Sequence, residues 1–217
     1  MPDIKLTYFE TTGIAEAVRL ILSYARQPFI DERITLDDWL DRKSEMPFGQ
    51  VPVIEIDGKR YHQSMAIARY LAKQYGLAGK DDKENMEIDS IAYSINDFRI
   101  FFTEVLWDTN PEEKARKRDI VIKEKIPYFL EKFEKIIEEN GGFFYGNRVT
   151  WADLMFVSLQ PYFEVAIGFD ILQEYPFLKE YADKISEIPG IKEWISKRPK
   201  KCCIRDLNIA SVNSSNS

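Results

Sequence analysis

Three short stretches carry groups that could do chemistry or hold a ligand. Tyr8 closes a run in which Ile4, Leu6 and Tyr8 alternate with polar neighbours, the period of a strand. Gly13 breaks the chain just beyond it, and a helical pattern follows. A phenol at the carboxyl end of a strand stands where open α/β units bind ligands, and its O–H can donate to an anion. A buried core tyrosine has the same signature. Val51-Pro52 precedes another strand-like run. A cis bond there would expose the backbone N–H and C=O of Val51 to an extended peptide, and the sequence leaves the isomer open. Gln63-Ser64 opens a helical pattern, whose free N–H groups and dipole attract carboxylates. A plain N-cap at Ser64 reads the same way.

Other chemistries lack their residues. There is no G-x-G-x-x-G fingerprint, no G-x-x-x-x-G-K-[ST] phosphate loop and no G-x-S-x-G elbow. The lone His62 sits in a strand-like run and reads as structural. Cys202 and Cys203 are the only cysteines. Being adjacent, with no C-x-x-C spacing, they exclude a disulfide framework within one chain and a dithiol redox site, and they fit a reducing compartment. Two Cys and one His make structural zinc a poor fit.

The elements that must position these residues fall into two groups. Ala15, Val18, Ile21, Leu22 and Ala25 recur at helical spacing, and Pro28 ends that helix. Phe29 to Ile34 reads as a second strand, and Asp37 to Ser44 as helix or irregular structure. Val51 to His62, with Asp57-Gly58 at its centre, reads as a hairpin. Ser64 then caps a helix with Ile67, Ala68, Leu71 and Ala72 on its apolar face. The order β-α-β-α-β-β-α makes one small α/β unit. Residues 77–84 suit a linker, and no convincing strand follows. Ile88, Ile91, Ile95, Phe98, Phe102 and Val105 predict a long amphipathic helix. Pro111 starts another, kinked or interrupted at Pro127 and closed at Gly141-Gly142. Thr150-Trp151-Ala152-Asp153 has the capping-box pattern, before the apolar run Leu154 to Leu159. Two further helices span about 176–187 and 191–197. The expectation is an α/β domain over 1–78, an all-α domain over 79–207 and a Ser- and Asn-rich disordered tail over 208–217.

With 217 residues, 45% hydrophobic and 30% charged, the chain can bury a real core. No apolar run nears the ~20 residues of a membrane helix, and no apolar signal core opens the chain, so the expected location is cytoplasmic. A net charge of −6 argues against nucleic acid. The basic cluster Lys197, Arg198, Lys200, Lys201 and Arg205 reads as a solvated face, with an anion site as the lesser reading.

Taken in order and spacing, these residues resemble the glutathione transferase superfamily, and within it the sigma class. The resemblance runs from Lys5-Leu6-Thr7-Tyr8-Phe9 to Arg198-Pro199. Its most specific stretches are 46–53, 62–71 and 149–153. It implies a thioredoxin-like N-terminal domain holding glutathione, a helical C-terminal domain and a homodimer. By the same resemblance Tyr8 would hydrogen-bond the glutathione sulfur, and Val51 beside Pro52 would pair with the cysteinyl unit. Gln63 and Ser64 would hold the γ-glutamyl end. Trp39, Lys43 and Gln50 would surround the glycyl end. Asp97 of the partner subunit would reach the γ-glutamyl amine. An apolar cleft lined by Phe9, Ile14, Phe102, Leu106 and Leu159 would take a hydrophobic electrophile.

The implied function is conjugation of the glutathione thiol to electrophiles such as lipid-peroxidation aldehydes, with peroxide reduction beside it. Departures bear on the alternatives. Many sigma-class members have an arginine where this chain has Ile14, and its loss predicts a less populated thiolate and a more apolar cleft. Prostaglandin D synthases of the class bind a divalent metal through acids where this chain has Tyr93, Asn96 and Asp97, so no functional metal is expected. Their pocket tryptophan is Glu104 here. Prostaglandin H to D isomerisation is thus disfavoured. A structural, crystallin-like protein with little activity would not need Trp39, Lys43, Gln50, Gln63, Ser64 and Asp97.

Overall fold

Strand β1 (Ile4–Phe9) is buried at every position but Lys5, because it is central in its sheet and covered on both faces. A computed structural model describes residues 2–201. Cys202-Cys203, Arg205 and the tail from Asn208 lie outside the described residues. Strand β2 (Ile30–Ile34) runs parallel to β1, and β3 (Val53–Ile56) and β4 (Lys59–His62) form the antiparallel hairpin, giving the order β2-β1-β3-β4. Asp57 and Gly58 turn the hairpin with φ of 50° and 80°, the paired positive values that favour Asp-Gly.

Helices α1 (Glu16–Tyr24), α2 (Leu36–Arg42) and α3 (Ser64–Gln74) complete this unit. The Thr35 hydroxyl accepts from Asp38 N–H at 3.1 Å while Asp38 accepts from Thr35 N–H at 2.9 Å, so a capping box starts α2. The start of α3 differs from expectation. Gln63 is its N-cap, with φ 73° and no side-chain cap hydrogen bond, so Ser64 is the first helical residue and not the cap. The chain leaves β4 at His62 and must reverse within one residue. The backbone turn at Gln63 therefore sets the helix start.

The second unit is helical: α4 (Asp82–Trp107), α5 (Pro111–Ile120), α6 (Ile126–Glu139), α7 (Trp151–Ser158), α8 (Gln160–Ile167), α9 (Pro176–Ser186) and α10 (Pro189–Lys197). The interruption expected at Pro127 takes the form of a π turn over Val121–Lys125. Pro127 has no N–H to return to the carbonyl four residues back, and the register slips so that Ile126 N–H reaches Val121 O. Gly142 N–H closes α6 onto Ile137 O at 2.8 Å. Phe98, Phe102, Phe133, Phe144, Phe156 and Phe163 fill the helical core.

The two units share packing. Helix α1 lies against α3 of its own unit and against α7 and α10 of the other. Trp151 N–H donates to Leu77 O at 3.0 Å, tying the start of α7 to the end of the first unit. Among the described residues no helix is long and apolar enough to cross a membrane.

Candidate active site

Sheet register gathers the first set of residues. Thr7 pairs with Val53, and Val53 pairs with His62. One residue further along from these pairs come Tyr8, Pro52 and Gln63, at one end of the sheet. The Val51–Pro52 bond is cis. On the other side of β1, Tyr8 pairs with Arg33 and Phe9 with Ile34, and α2 with Trp39 follows directly. Phe9 packs edge-on between Tyr8 at 5.5 Å and Trp39 at 5.4 Å.

The N-terminus of α3 adds donors. Ile67 N–H is the first to return into the helix, to Gln63 O at 3.0 Å. The N–H groups of Ser64, Met65 and Ala66 thus lie in the first turn, where no intrahelical acceptor exists. Gln63 holds a backbone conformation that side chains rarely adopt, and Ser64 is half-buried beside it. Lys43 and Gln50 are exposed on the segment between α2 and β3, with the Lys43 stem running over Gly49. Asp97 is exposed on α4.

Tyr8 itself is only 7% exposed. Burial pushes its phenol up to about 12, against the opposing effects of a hydrogen bond from Ile14 N–H and the charges of Arg19 and Arg99. The hydroxyl oxygen therefore accepts from Ile14 and keeps its own proton free to donate. Arg19 lies 5.7 Å from the ring centre. Gly13 makes this arrangement possible. It has φ +45°, and a Cβ there would lie 2.5 Å from the Tyr8 hydroxyl oxygen and 2.8 Å from Cε1. Gly13→Ala combines a left-handed backbone strain of about 1–2 kcal/mol with a clash on a buried ring. A displacement of about 1 Å at a reacting group lowers rate on the order of 100-fold. With Tyr8 in the role that the resemblance implies, a fall of that order in kcat/KM, with a lowered melting temperature, is the expected result from parallel kinetics and thermal unfolding.

The residues expected to line an apolar cleft separate. Ile14 is half-buried next to Tyr8, whereas Leu106, Phe9, Phe102 and Leu159 are buried. Phe102 lies 4.3 Å from the Phe163 ring, inside the helical core. A polar chain that the sequence did not suggest lies nearer. Arg99 of α4 donates to Asn96 Oδ1 at 3.1 Å and to Thr103 Oγ1 at 3.0 Å, and Thr103 Oγ1 meets Tyr162 Oη at 2.9 Å. Arg99 and Tyr162 both act electrostatically on the Tyr8 hydroxyl, the first lowering its pKa and the second raising it. Ile14 thus does not leave the site without a cation. Arg99 carried no signal in the sequence, because its electrostatic effect on Tyr8 depends on how α4 meets the sheet.

The basic cluster near the end is largely paired. Lys197 bonds Glu193 at 2.7 Å, Arg198 bonds Glu16 at 2.7 Å, and Lys201 lies 3.7 Å from Glu10.

The chain is similar to known proteins along most of its length. Residues 4–73 match the glutathione S-transferase N-terminal domain, and residues 96–198 match its C-terminal domain. A glutathione S-transferase of Anopheles gambiae is 40% identical over 199 residues, covering 92% of this chain and 98% of that protein. A hematopoietic prostaglandin D synthase of Gallus gallus is 36% identical over 201 residues, covering 92% and 98%. A solved structure of prostaglandin synthase D of Nilaparvata lugens superimposes with TM-score 0.86 at 39% identity, covering 91% of this chain and 99% of that one. A thioredoxin-like sheet unit followed by a helical unit, with both domains matched and relatives near 40% identity, means that the chain belongs to the glutathione S-transferase family of enzymes.

Proposed function

We propose that the chain binds glutathione across the ends of β1, β3 and α3 and activates its thiol at Tyr8 for conjugation to hydrophobic electrophiles such as lipid-peroxidation aldehydes. The same thiolate would reduce organic peroxides. This is the sigma-class reading, for a detoxifying enzyme working in the cytoplasm. The observation that carries it is the Tyr8 hydroxyl, which accepts from Ile14 N–H and is held protonated by burial, so that its O–H is left to donate. The cysteinyl unit would lie along Val51 and Pro52, the γ-glutamyl carboxylate over Gln63, Ser64 and the first-turn N–H groups of α3, and the glycyl carboxylate near Lys43, Gln50 and Trp39. The domain division would fall near residue 78, before α4.

A free thiol with pKa about 8.5 is only a few per cent ionised at pH 7. Lowering it by about two units requires roughly 2.7 kcal/mol. A charge-assisted hydrogen bond contributes about 1.5–3 kcal/mol. Tyr8 covers most of that, and Arg99 adds a cation from the other domain. In conjugation the thiol proton leaves to solvent and the C–S bond forms at the β-carbon of an unsaturated aldehyde. The electron pair moves to the carbonyl oxygen, which then takes a proton. Arg99 and Tyr162 are the donors suited to that oxygen, with Ile14, Phe9 and Leu106 as apolar neighbours and Phe102 and Leu159 behind them. No step calls on a metal.

A homodimer fits the exposed apolar side chains of this face. Phe48 is 84% exposed with its ring 4.9 Å from His62, and Tyr61, Tyr70, Met86 and Tyr93 are exposed around α3 and α4. A second copy would cover them and bring Asp97 of the partner subunit to the γ-glutamyl amine.

The test is glutathione conjugation to a chromogenic aromatic halide and to an unsaturated aldehyde. Arg99→Met should lower kcat/KM for the aldehyde at least about tenfold, the loss of about 1.5 kcal/mol at the low end for one charged hydrogen bond. The halide should suffer less. Glutathione binding without conjugation would favour a structural role. Prostaglandin D formation would favour the isomerase named among the relatives.

A further inference from the structure

Two buried charges beneath the active-site loop answer to the far end of the chain. Glu16 and Arg19 of α1 are both fully buried. Glu16 Oε1 accepts from Trp194 Nε1 at 2.8 Å and from Arg198 Nη1 at 2.7 Å, and its Oε2 accepts from Arg19 Nη1 at 3.3 Å. Arg198 lies 182 residues away in sequence, just past α10. Arg19 in turn donates Nη1 to Thr11 O at 2.8 Å and Thr12 O at 3.2 Å, and Nε to Asp31 at 2.8 Å. From the outside, Thr12 N–H donates to Lys201 O at 3.0 Å. The loop between Tyr8 and Gly13 is thereby held on one side by a buried guanidinium and on the other by the segment after α10. That loop ends in the two backbone features that touch the Tyr8 hydroxyl: Gly13, with no room for a Cβ, and the Ile14 N–H donor.

We propose that Arg198 is a positioning residue, acting through Glu16 and Arg19 on the loop that aims the Tyr8 hydroxyl. The proposal rests on the glutathione-activating reading above. Arg198 touches neither Tyr8 nor the groups placed around glutathione. Its loss leaves a fully buried carboxylate with one cation fewer and frees Arg19 to shift toward it. The carbonyls of Thr11 and Thr12 follow Arg19, and the Ile14 N–H follows them. A merely structural ion pair would lower stability and leave the ionisation of the bound thiol where it was. A positioning pair moves that ionisation while leaving glutathione affinity near its original value.

The readout is the pKa of enzyme-bound glutathione, followed by ultraviolet absorbance of the thiolate, with kcat and KM for glutathione alongside. Arg198→Met should raise the bound thiol's pKa by about one unit, a tenfold loss of thiolate below both values. kcat should fall by a similar factor, and KM for glutathione should stay within about twofold. Arg198→Lys, which keeps a cation beside Glu16, should stay close to the parent enzyme. If Arg198→Met does not fold, Arg198→Gln, which keeps an N–H donor without the charge, is held to the same criterion. A folded Met or Gln variant with the parent's bound-thiol pKa overturns the proposal, as does a Lys variant shifted as far as Met. A parent enzyme that leaves the thiol at its free value would instead overturn the glutathione-activating reading, so the two failures are told apart by the parent measurement alone.

Discussion

Tyr8→Phe is expected to lower kcat/KM for conjugation by about 10- to 150-fold, the equivalent of one charge-assisted hydrogen bond of about 1.5–3 kcal/mol. The ring stays, so Phe9 and Arg19 keep their packing partner. Only the hydroxyl goes, and Ile14 N–H loses its acceptor. The apparent pKa of bound glutathione should rise toward the free value of about 8.5. KM for glutathione should change little, because the carboxylate ends of the tripeptide are assigned to α3 and to Lys43. The pH profile is a second check. With the phenol pushed up to about 12, Tyr8 stays a donor through the whole working range. The rate should climb with pH through the bound thiol's ionisation and then level, with no decline near 10 from loss of the tyrosine proton. The sign for stability follows from the same shift. The folded state holds this proton more tightly than the unfolded chain, so the contribution is complete below about 10 and is lost as pH rises toward about 12. A Phe variant as fast as its parent, with an unshifted thiol pKa, would remove Tyr8 from the chemistry.

Asp153→Ala should be the most damaging substitution for stability, at about 3–5 kcal/mol. Its buried carboxylate accepts four hydrogen bonds: from Thr150 N–H at 2.6 Å, Thr150 O–H at 2.6 Å, Phe144 N–H at 3.0 Å and Tyr181 O–H at 2.6 Å. Each buried donor left without an acceptor costs about 1–3 kcal/mol, and partial relaxation brings the sum down to the stated range. The site joins the start of α7, the segment after α6 and the middle of α9. Burial raises the Tyr181 phenol well above its ordinary value, and the neighbouring carboxylate adds to that. Urea unfolding at fixed protein concentration should show a lower midpoint with an unchanged slope. Asp153→Asn, which keeps one acceptor oxygen but turns an NH2 toward donors, should lose at least about 2 kcal/mol. A midpoint within error of the parent for the Ala variant would mean that the helices hold without this hub.

Both substitutions sit in motifs that could be read from the chain, and the reason differs. The Thr150–Asp153 box is local: a hydroxyl and a carboxylate three residues apart meet whenever a helix starts there. Its links to Phe144 and Tyr181 are not local and had no signal. Asp57-Gly58 announced the hairpin because only a few residue pairs tolerate two positive φ values in succession. Ser64 misled slightly, since a cap is inferred from a side chain whereas the turn at Gln63 is imposed by the strand before it. Pro127 marked a break in the helix, but whether the chain bends or slips into a π turn depends on the helices packed around it.

Local order and spacing alone determined the two-unit architecture, the strand that carries Tyr8, the hairpin with Val51-Pro52 and the helix opened by Gln63-Ser64. Period, turn residues and proline act over a few residues, and those distances are written in the chain. Tertiary structure decided which side chains meet Tyr8. Glu16 and Arg19 lie on a helix whose polar side chains ought to face water, yet α1 is enclosed by α3, α7 and α10, and the charges are buried with partners from Asp31 and Arg198. Arg99 supplies from α4 the cation that position 14 lacks, and Phe102 with Leu159 turns into core. Such contacts join residues from 12 to 182 positions apart, and no pattern of neighbours along a chain encodes the angle at which two domains close.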